Sequence, residues 1–345
     1  MKSKKENQDI KIIVDGNNIV YSAYYSFGDL SYEGERTGII FGFLKKILTI
    51  AKKFHTNNFI FCWDSKPTWR HIEYDGYKEG RNKNMDPEER QSIIKQAEAL
   101  RKVVLPRLGF KNNFKRNKFE SDDLMAAVTY KLNSPKTTIL VSTDNDMFQC
   151  LNHCRIFNPT TKKIFTKKDF TSKYRIPVDK WVLAKSMGGC NSDRVKGIVG
   201  VADPKSPTSK ALKYLNGELT KGKIYEKIIS KEGQSIIKRN IQLINLPHYK
   251  KIHNLVLRDN DFDRKKFIFV FDKYRFNSFL TDSEFEKWET LFLKGGKNGK
   301  EDTNKRQNKR PMDGCKGRRS TGFSHRSKRD LIRSNTFSSR RFFGS

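Results

Sequence analysis

"IKIIVD", residues 10–15, decides the fold: five largely apolar, β-branched residues run without polar alternation and stop at a carboxylate. Such a run suits a parallel strand covered on both faces. Two more stretches share the design. "NFIFCW" (58–63) is followed by Asp64, and "TTILVS" (137–142) by Thr143 and Asp144. Helical patterns separate them, "GIIFGFLKKILTIAKKF" at 38–54 and "SDDLMAAVTYKL" at 121–132. Strand–helix alternation of this kind predicts an α/β fold with a doubly wound, mainly parallel sheet.

The segment 65–119 is a long excursion between the second strand and the 121–132 helix. Within it, "DPEERQSIIKQAEALRKVVLP" predicts a helix over 86–107, with Asp86 as N-cap, Pro87 at the first helical position and Glu89 completing a capping box. Its heavy charge suits a helix lying over the sheet's C-terminal edge rather than one buried against its face. Beyond residue 160 the chain reads as helical and basic, with closing helices in "FDRKKFIFVFDKYRF" and "SEFEKWETLFLK".

The bulk properties narrow the partners. The 345 residues carry a net charge of +32, which selects polyanions or anionic surfaces. No stretch approaches the roughly 20 apolar residues of a membrane span, and the N-terminal apolar run is short for a signal peptide. A cytoplasmic protein that meets nucleic acid is the expectation. Residues 294–345 hold 16 Lys and Arg against four Asp and Glu among Gly, Ser and Asn. A disordered basic tail is expected there. Five cysteines (62, 150, 154, 190 and 315) follow no framework spacing and are expected reduced. "CLNHC" (150–154) lacks a second Cys/His pair for zinc, so buried thiols are the default reading.

Against that basic background the acids stand out. Asp15, Asp64 and Asp144 close the three strands, and ligands of open α/β sheets gather at the carboxyl ends of strands. "FESDD" (119–123) adds Glu120, Asp122 and Asp123 at a helix start, with Ser121 as the expected cap. "STDND" adds Asp146 beside Asp144. Taken singly, each pair is explained by helix-dipole compensation or by an Asx turn. Together they read as a shared site for hard divalent cations, Mg²⁺ or Mn²⁺, because clustered anions repel unless cations bind. Such cations beside a basic surface point to phosphoryl chemistry on nucleic acid.

At this point the chain resembles the 5′-nucleases: phage 5′–3′ exonucleases, the N-terminal domain of bacterial DNA polymerase I, and flap endonucleases. The resemblance runs over about residues 10–290. It rests on "IVDGNNIVYSAYYSF" (13–27), "FCWDSKPTWRHIEYDGYKEGR" (61–81), "FESDDLMAAV" (119–128), "LVSTDNDMFQCL" (140–151), "MGGCNSDRVKGIVGV" (187–201) and "RNIQLINLP" (239–247). It implies a PIN-like catalytic core over 8–176 with a helical arch at about 77–107. A DNA-binding region with a helix–three-turn–helix would follow over 177–293, and the tail over 294–345.

The resemblance also implies roles. Asp15, Asp64, Glu120 and Asp122 would hold a first metal with Asp123 close by, and Asp144, Asp146 and Asp193 a second. Lys78 and Arg81 would contact the scissile phosphate, and Tyr77 would stack a terminal base. Lys196, Gly197, Gly200, Lys210 and Lys213, together with Lys205, would grip duplex phosphates, with a K⁺ ion among the backbone amides. The implied activity is Mg²⁺-dependent 5′–3′ exonuclease and flap endonuclease cleavage of DNA with 5′ flaps, nicks or free 5′ ends, and of RNA in RNA–DNA hybrids. The implied setting is a monomer serving replication or repair in the cytoplasm of a phage-infected bacterium, in company with replication proteins. The chain departs from the family pattern at three points. Cys190, or Gly189 in a shifted alignment, replaces an aspartate, Arg194 replaces an Asn, and Ala202 replaces a third glycine. A thiolate is a poor Mg²⁺ ligand, so Cys190 is not expected as a direct replacement. The alternatives are a structure-specific DNA-binding protein with attenuated catalysis, and a PIN-type ribonuclease.

Overall fold

The structure is a computed structural model that describes residues 10–80, 85–202 and 208–293. Arg81, Lys205, Cys315 and the expected tail therefore lie outside the described residues. The first strand of the reading, β1 (Lys11–Asp15), sits at the centre of a six-stranded sheet. It pairs in parallel with β2 (Asn58–Trp63) on one side, Ile13 opposite Ile60. On the other side it pairs with Thr138–Val141, Ile13 opposite Leu140.

Three strands of this sheet were not legible in the sequence. They are β3 (Asn113–Lys115), β5 (Arg155–Asn158) and the antiparallel edge β6 (Lys163–Phe165). With Thr138–Val141 as β4, the spatial order is β3-β2-β1-β4-β5-β6. Strand order reverses between β1 and β4, and in such sheets that reversal opens the ligand crevice.

Alternation along the strands sorts the core into two faces. Ile12, Val14, Phe59 and Phe61 join α1 (Gly16–Phe27) and α2 (Gly38–Phe54) on one face. Ile13, Ile60, Cys62 and Leu140 pack with Leu124, Met125 and Val128 of a helix over Ser121–Leu132 on the other. The closing helices do not join a separate DNA-binding unit. Phe267, Phe271, Trp288 and Phe292 pack into the same core as Ile12 and Phe43. Both sides of the expected 176/177 boundary lie in one compact unit that holds residues 10–293. The reason is aromatic burial. Each large ring removes on the order of 150–250 Å² from water, and the sheet face offers the surface to cover them.

The charged helix departs from expectation in its second half. Pro87–Ala99 starts where predicted, with Asp86 accepting hydrogen bonds from the backbone N–H groups of Glu88 and Glu89. It then continues through a π turn at Leu100–Val104 into Leu105–Leu108. Leu100, Val104, Leu105 and Leu108 are fully buried, so this half is core rather than a solvated cover. Pro106 supplies no N–H and crowds the preceding turn. The local answer is an i→i+5 bond from Leu105 N–H to Leu100 O. Gly109 ends the helix at φ +105, and a side chain there would strike the Asp261 carbonyl. Among the described residues, no helix is long and apolar enough to cross a membrane.

Candidate metal centre

Each strand-end acid is held by the helix that follows or faces it. Asp15 caps α1, its Oδ1 accepting from Asn18 N at 3.0 Å. Asp64 Oδ1 accepts from Ser121 N at 2.8 Å, fastening the end of β2 to the start of the facing helix. Asp144 Oδ1 accepts from Asp146 N at 2.8 Å and caps the 3-10 turn Asn145–Cys150. The capping and metal-binding readings of these acids are thus compatible: each is anchored by a backbone N–H and each also lines the crevice. The 121–132 helix has Glu120, not Ser121, at its N-cap position. Ser121 is its first helical residue.

The crevice is a cavity of about 470 Å³ at the β1/β4 reversal. Asp15, Asp64, Glu120, Asp122, Asp144, Asp146 and Asp193 line it, and the cations in its lining are Arg70, Lys78 and Lys185. Among the described residues, seven carboxylates thus face three cationic side chains. Such a surplus of carboxylates suits divalent cations. The electrostatics agree. Burial, then the neighbouring Asp64 carboxylate, pushes Asp15 up to about 7. Burial and Asp144 push Asp146 up to about 6, against the opposing pull of Lys185. Burial, with Asp15 and Asp144 nearby, raises Asp122 well above the usual carboxylate range. Crowded, desolvated carboxylates of this kind fit hard, oxygen-seeking cations.

Glu120 is the exception. Burial would raise it, but Lys78 and Arg70 hold it below its ordinary value. Lys78 Nζ lies 2.7 Å from Glu120 Oε1 and Arg70 Nη1 3.2 Å from Oε2. The same lysine ties two distant motifs together. Its backbone adopts φ +51, between Gly76 and Gly80, which also have positive φ, and its N–H donates to the Asp193 carbonyl at 3.1 Å. A non-glycine residue in the left-handed region costs about a kcal/mol or more and marks a turn held in place by its surroundings.

Two assignments need correction. Asp123 is not in the cavity lining. It is 1 % exposed, its carboxylate gripped by Arg70 at 2.8 Å through both Nη atoms, and it also accepts from the backbone N–H groups of Glu120 and His248. Those bonds occupy the lone pairs a metal would need. Tyr77 is 4 % exposed, packed with Cys190, Leu243 and Ile244, and Lys78 lies over its ring at 5.0 Å. It therefore offers no face to a base. Its hydroxyl instead donates to Glu120 at 3.1 Å and Asp193 at 3.4 Å.

The sequence reading missed Arg70 and Lys185. Arg70, 2 % exposed, also donates to the Leu243 and Asn245 carbonyls, joining "RNIQLINLP" to the acidic motif. Lys185 pairs with Asp146 at 2.8 Å. Neither has a sequence signal, because a buried cation is marked by partners far along the chain. Cys190 stands beside two of these acids: its Sγ and carboxylate oxygens of Asp146 and Asp193 all lie within 4.8 Å of one another.

The glycine segment opens with a short hairpin, Gly189–Cys190 against Val195–Lys196. Gly197 is required by its own protein: a Cβ there would lie 2.3 Å from the Gly188 carbonyl carbon. Lys196 and Lys213 are exposed. Lys210 donates to the Gly200 carbonyl at 2.6 Å, and a helix over Ser209–Leu215 follows.

A parallel sheet with carboxylates converging at its strand-order reversal defines an α/β protein built to hold divalent cations. Residues 11–175 match the family model of the 5′-3′ exonuclease N-terminal, resolvase-like domain. The 5′-3′ exonuclease of Buchnera aphidicola is 29% identical over 210 residues, 59% of this chain and 69% of that protein. The DNA polymerase I of Deinococcus radiodurans is 29% identical over 222 residues, 63% of this chain but 22% of that protein. The solved T5 5′-exonuclease with divalent zinc bound shares the fold, with a TM-score of 0.52 at 20% identity, covering 69% of this chain and 90% of that one. Over residues 11–175 the chain is similar to the 5′-3′ exonucleases. It spans about a fifth of the polymerase relatives and about two thirds of the stand-alone exonucleases.

Proposed function

We infer that this chain is a divalent-cation-dependent 5′–3′ exonuclease and flap endonuclease acting on DNA. The observation that carries the reading is the charge imbalance of the cavity, seven carboxylates against three cations among the described residues, Lys78 being one of the three. Bound Mg²⁺ or Mn²⁺ would activate a water and offset charge on the leaving oxygen. Asp15, Asp64, Asp122 and Asp144 would hold one position and Asp146 with Asp193 the other.

The chain's own groups supply the rest. Lys78 keeps its proton firmly: burial opposes the charge, but Glu120 and Asp193 outweigh it. A fixed ammonium at the cavity wall stabilises a phosphodiester as negative charge grows in the transition state. Tyr77 and Arg70 hold Glu120 in place, so Lys78 is oriented from two sides. Lys196 and Lys213, both exposed, would meet duplex phosphates without reading sequence. A helical arch drawn from the part of 77–107 that precedes the buried Leu100–Leu108 stretch, with Arg81 at its base, and a helix–three-turn–helix around 192–216 with K⁺ complete the proposal. So does action on RNA in RNA–DNA hybrids.

The test is a labelled 5′-flap duplex incubated with the protein and Mg²⁺ at low salt. Cleavage that requires the cation and is abolished in Asp144→Ala and Glu120→Ala is the expected result. No cleavage at all, with duplex binding retained, would establish the alternative of a binding protein with attenuated catalysis. Cleavage indifferent to both substitutions would remove the cavity from the mechanism.

A further inference from the structure

Cys190 brings a donor of different chemistry beside Asp146 and Asp193 of the acidic cavity. It closes the first strand of the Gly189–Lys196 hairpin, and the turn Asn191–Asp193 brings the following acid back alongside it. Cys190 Sγ lies 3.1 Å from Ser192 Oγ, which in turn donates to Asp193 Oδ1 at 3.3 Å. Asp146 reaches the same point from the turn after β4, its carboxylate 2.8 Å from the Lys185 ammonium. The three donor atoms lie within 4.8 Å of one another, close enough for one ion to bridge with bonds of roughly 2.0–2.3 Å after small side-chain movements. Lys185 pairs with Asp146 beside that trio. The other aspartates of the cavity, Asp15, Asp64, Asp122 and Asp144, offer oxygen alone.

Ligand softness separates the two sets. Oxygen donors suit Mg²⁺ and Mn²⁺, whereas a thiolate favours Zn²⁺ and its neighbours in the first transition row. Three protein donors with a coordination position left open also match the arrangement of a catalytic rather than a structural zinc. Building on the cation-dependent reading above, we propose that Asp146, Cys190 and Asp193 form a mixed thiolate–carboxylate site that takes Zn²⁺ or Co²⁺ in preference to Mg²⁺. The oxygen-only set is left to Mg²⁺ or Mn²⁺. Binding forms a sulfur–metal bond as the thiol S–H breaks, and the proton passes to solvent.

The experiment uses the full chain stripped with chelator and titrated with Co²⁺, followed by calorimetric titration with Zn²⁺ and Mg²⁺. The wild-type protein develops a near-ultraviolet thiolate-to-cobalt band that saturates at one equivalent. The band is lost in Cys190→Ser and kept in Cys315→Ser. Zn²⁺ affinity falls at least roughly tenfold in Cys190→Ser, since losing even a contact that supports a metal ligand costs that much. Mg²⁺ affinity stays unchanged in Cys190→Ser and rises in Cys190→Asp. If Cys190→Ser fails to fold, X-ray absorption of the Zn²⁺-loaded Cys315→Ser chain decides: a sulfur at about 2.3 Å supports the site, and oxygen and nitrogen scatterers alone overturn it. Co²⁺ binding without the band, or a band that survives Cys190→Ser, also overturns it while leaving the nuclease reading intact. Binding of neither Co²⁺ nor Mg²⁺ overturns both.

Discussion

Replacing Arg70 by Met tests whether the acidic centre is built from inside the fold. The guanidinium makes five hydrogen bonds: Nε to Leu243 O at 2.6 Å, Nη1 to Glu120 and Asp123 at 3.2 and 2.8 Å, and Nη2 to Asp123 and Asn245 O at 2.8 and 3.0 Å. Truncating one partner of a buried ion pair costs about 3–5 kcal/mol, because the remaining charge is left without compensation. Here the lower end applies. Asp123 keeps backbone donors from Glu120 and His248, at 3.0 and 2.7 Å, and Glu120 keeps Lys78. A loss of about 3 kcal/mol is therefore expected, a large fraction of the ~5–15 kcal/mol that holds a typical domain together. Arg70→Lys recovers less than half of it, because an ammonium has three donors and no planar fork. Urea unfolding followed by tryptophan fluorescence, in chelator so that cations do not intervene, reads both values. Pairing Arg70→Met with Asp123→Leu should cost less than the two single changes together. A loss below about 1 kcal/mol for Arg70→Met, or strict additivity with Asp123→Leu, would refute the account.

Three further outcomes follow from the same structure. Asp15 and Asp146 have folded values raised to about 7 and about 6, so the stability they contribute is present in full below pH 4 and lost as pH rises through those values. In chelator, unfolding midpoints should fall between about pH 4 and 7; saturating Mn²⁺ or Asp15→Asn should flatten that fall, and an unaltered slope would contradict it. Lys78→Met should lower the single-turnover rate on a flap substrate by on the order of a hundredfold or more with little effect on substrate affinity, read by rapid quench and fluorescence anisotropy. A loss confined to affinity would move Lys78 out of the chemical step. Gly197→Ala places a methyl carbon against the Gly188 backbone and should destabilise the chain by about 1–3 kcal/mol in the same urea assay. A neutral result would mean that the 188–197 contact is loose.

How much of this was legible depended on whether the signal was local. Periodicity and β-branching located β1, β2 and β4, since a strand covered on both faces must be apolar at every position. β3, β5 and β6 are three or four residues each, too short for a pattern, and exist because neighbouring strands extend the ladder to them. The acids at the strand ends were readable because each closes an apolar run. The destination of each carboxylate was not. Asp122 and Asp123 are adjacent, yet helix geometry points one into the cavity and gives the other to Arg70, 53 residues away.

The sequence by itself determined the sheet's central strands, the acids delivered to one edge, and the basic surface, because each is a property of residues a few positions apart. Only the tertiary structure decided which acids share the cavity and that Tyr77 is a hydrogen-bond donor rather than a platform. It also decided that the closing helices complete the core, and that Cys190 joins Asp146 and Asp193. Those outcomes depend on partners that the fold brings together from 40 to 280 positions apart. Burial and charge at such points are summed over everything that packs there, and no local pattern contains that sum.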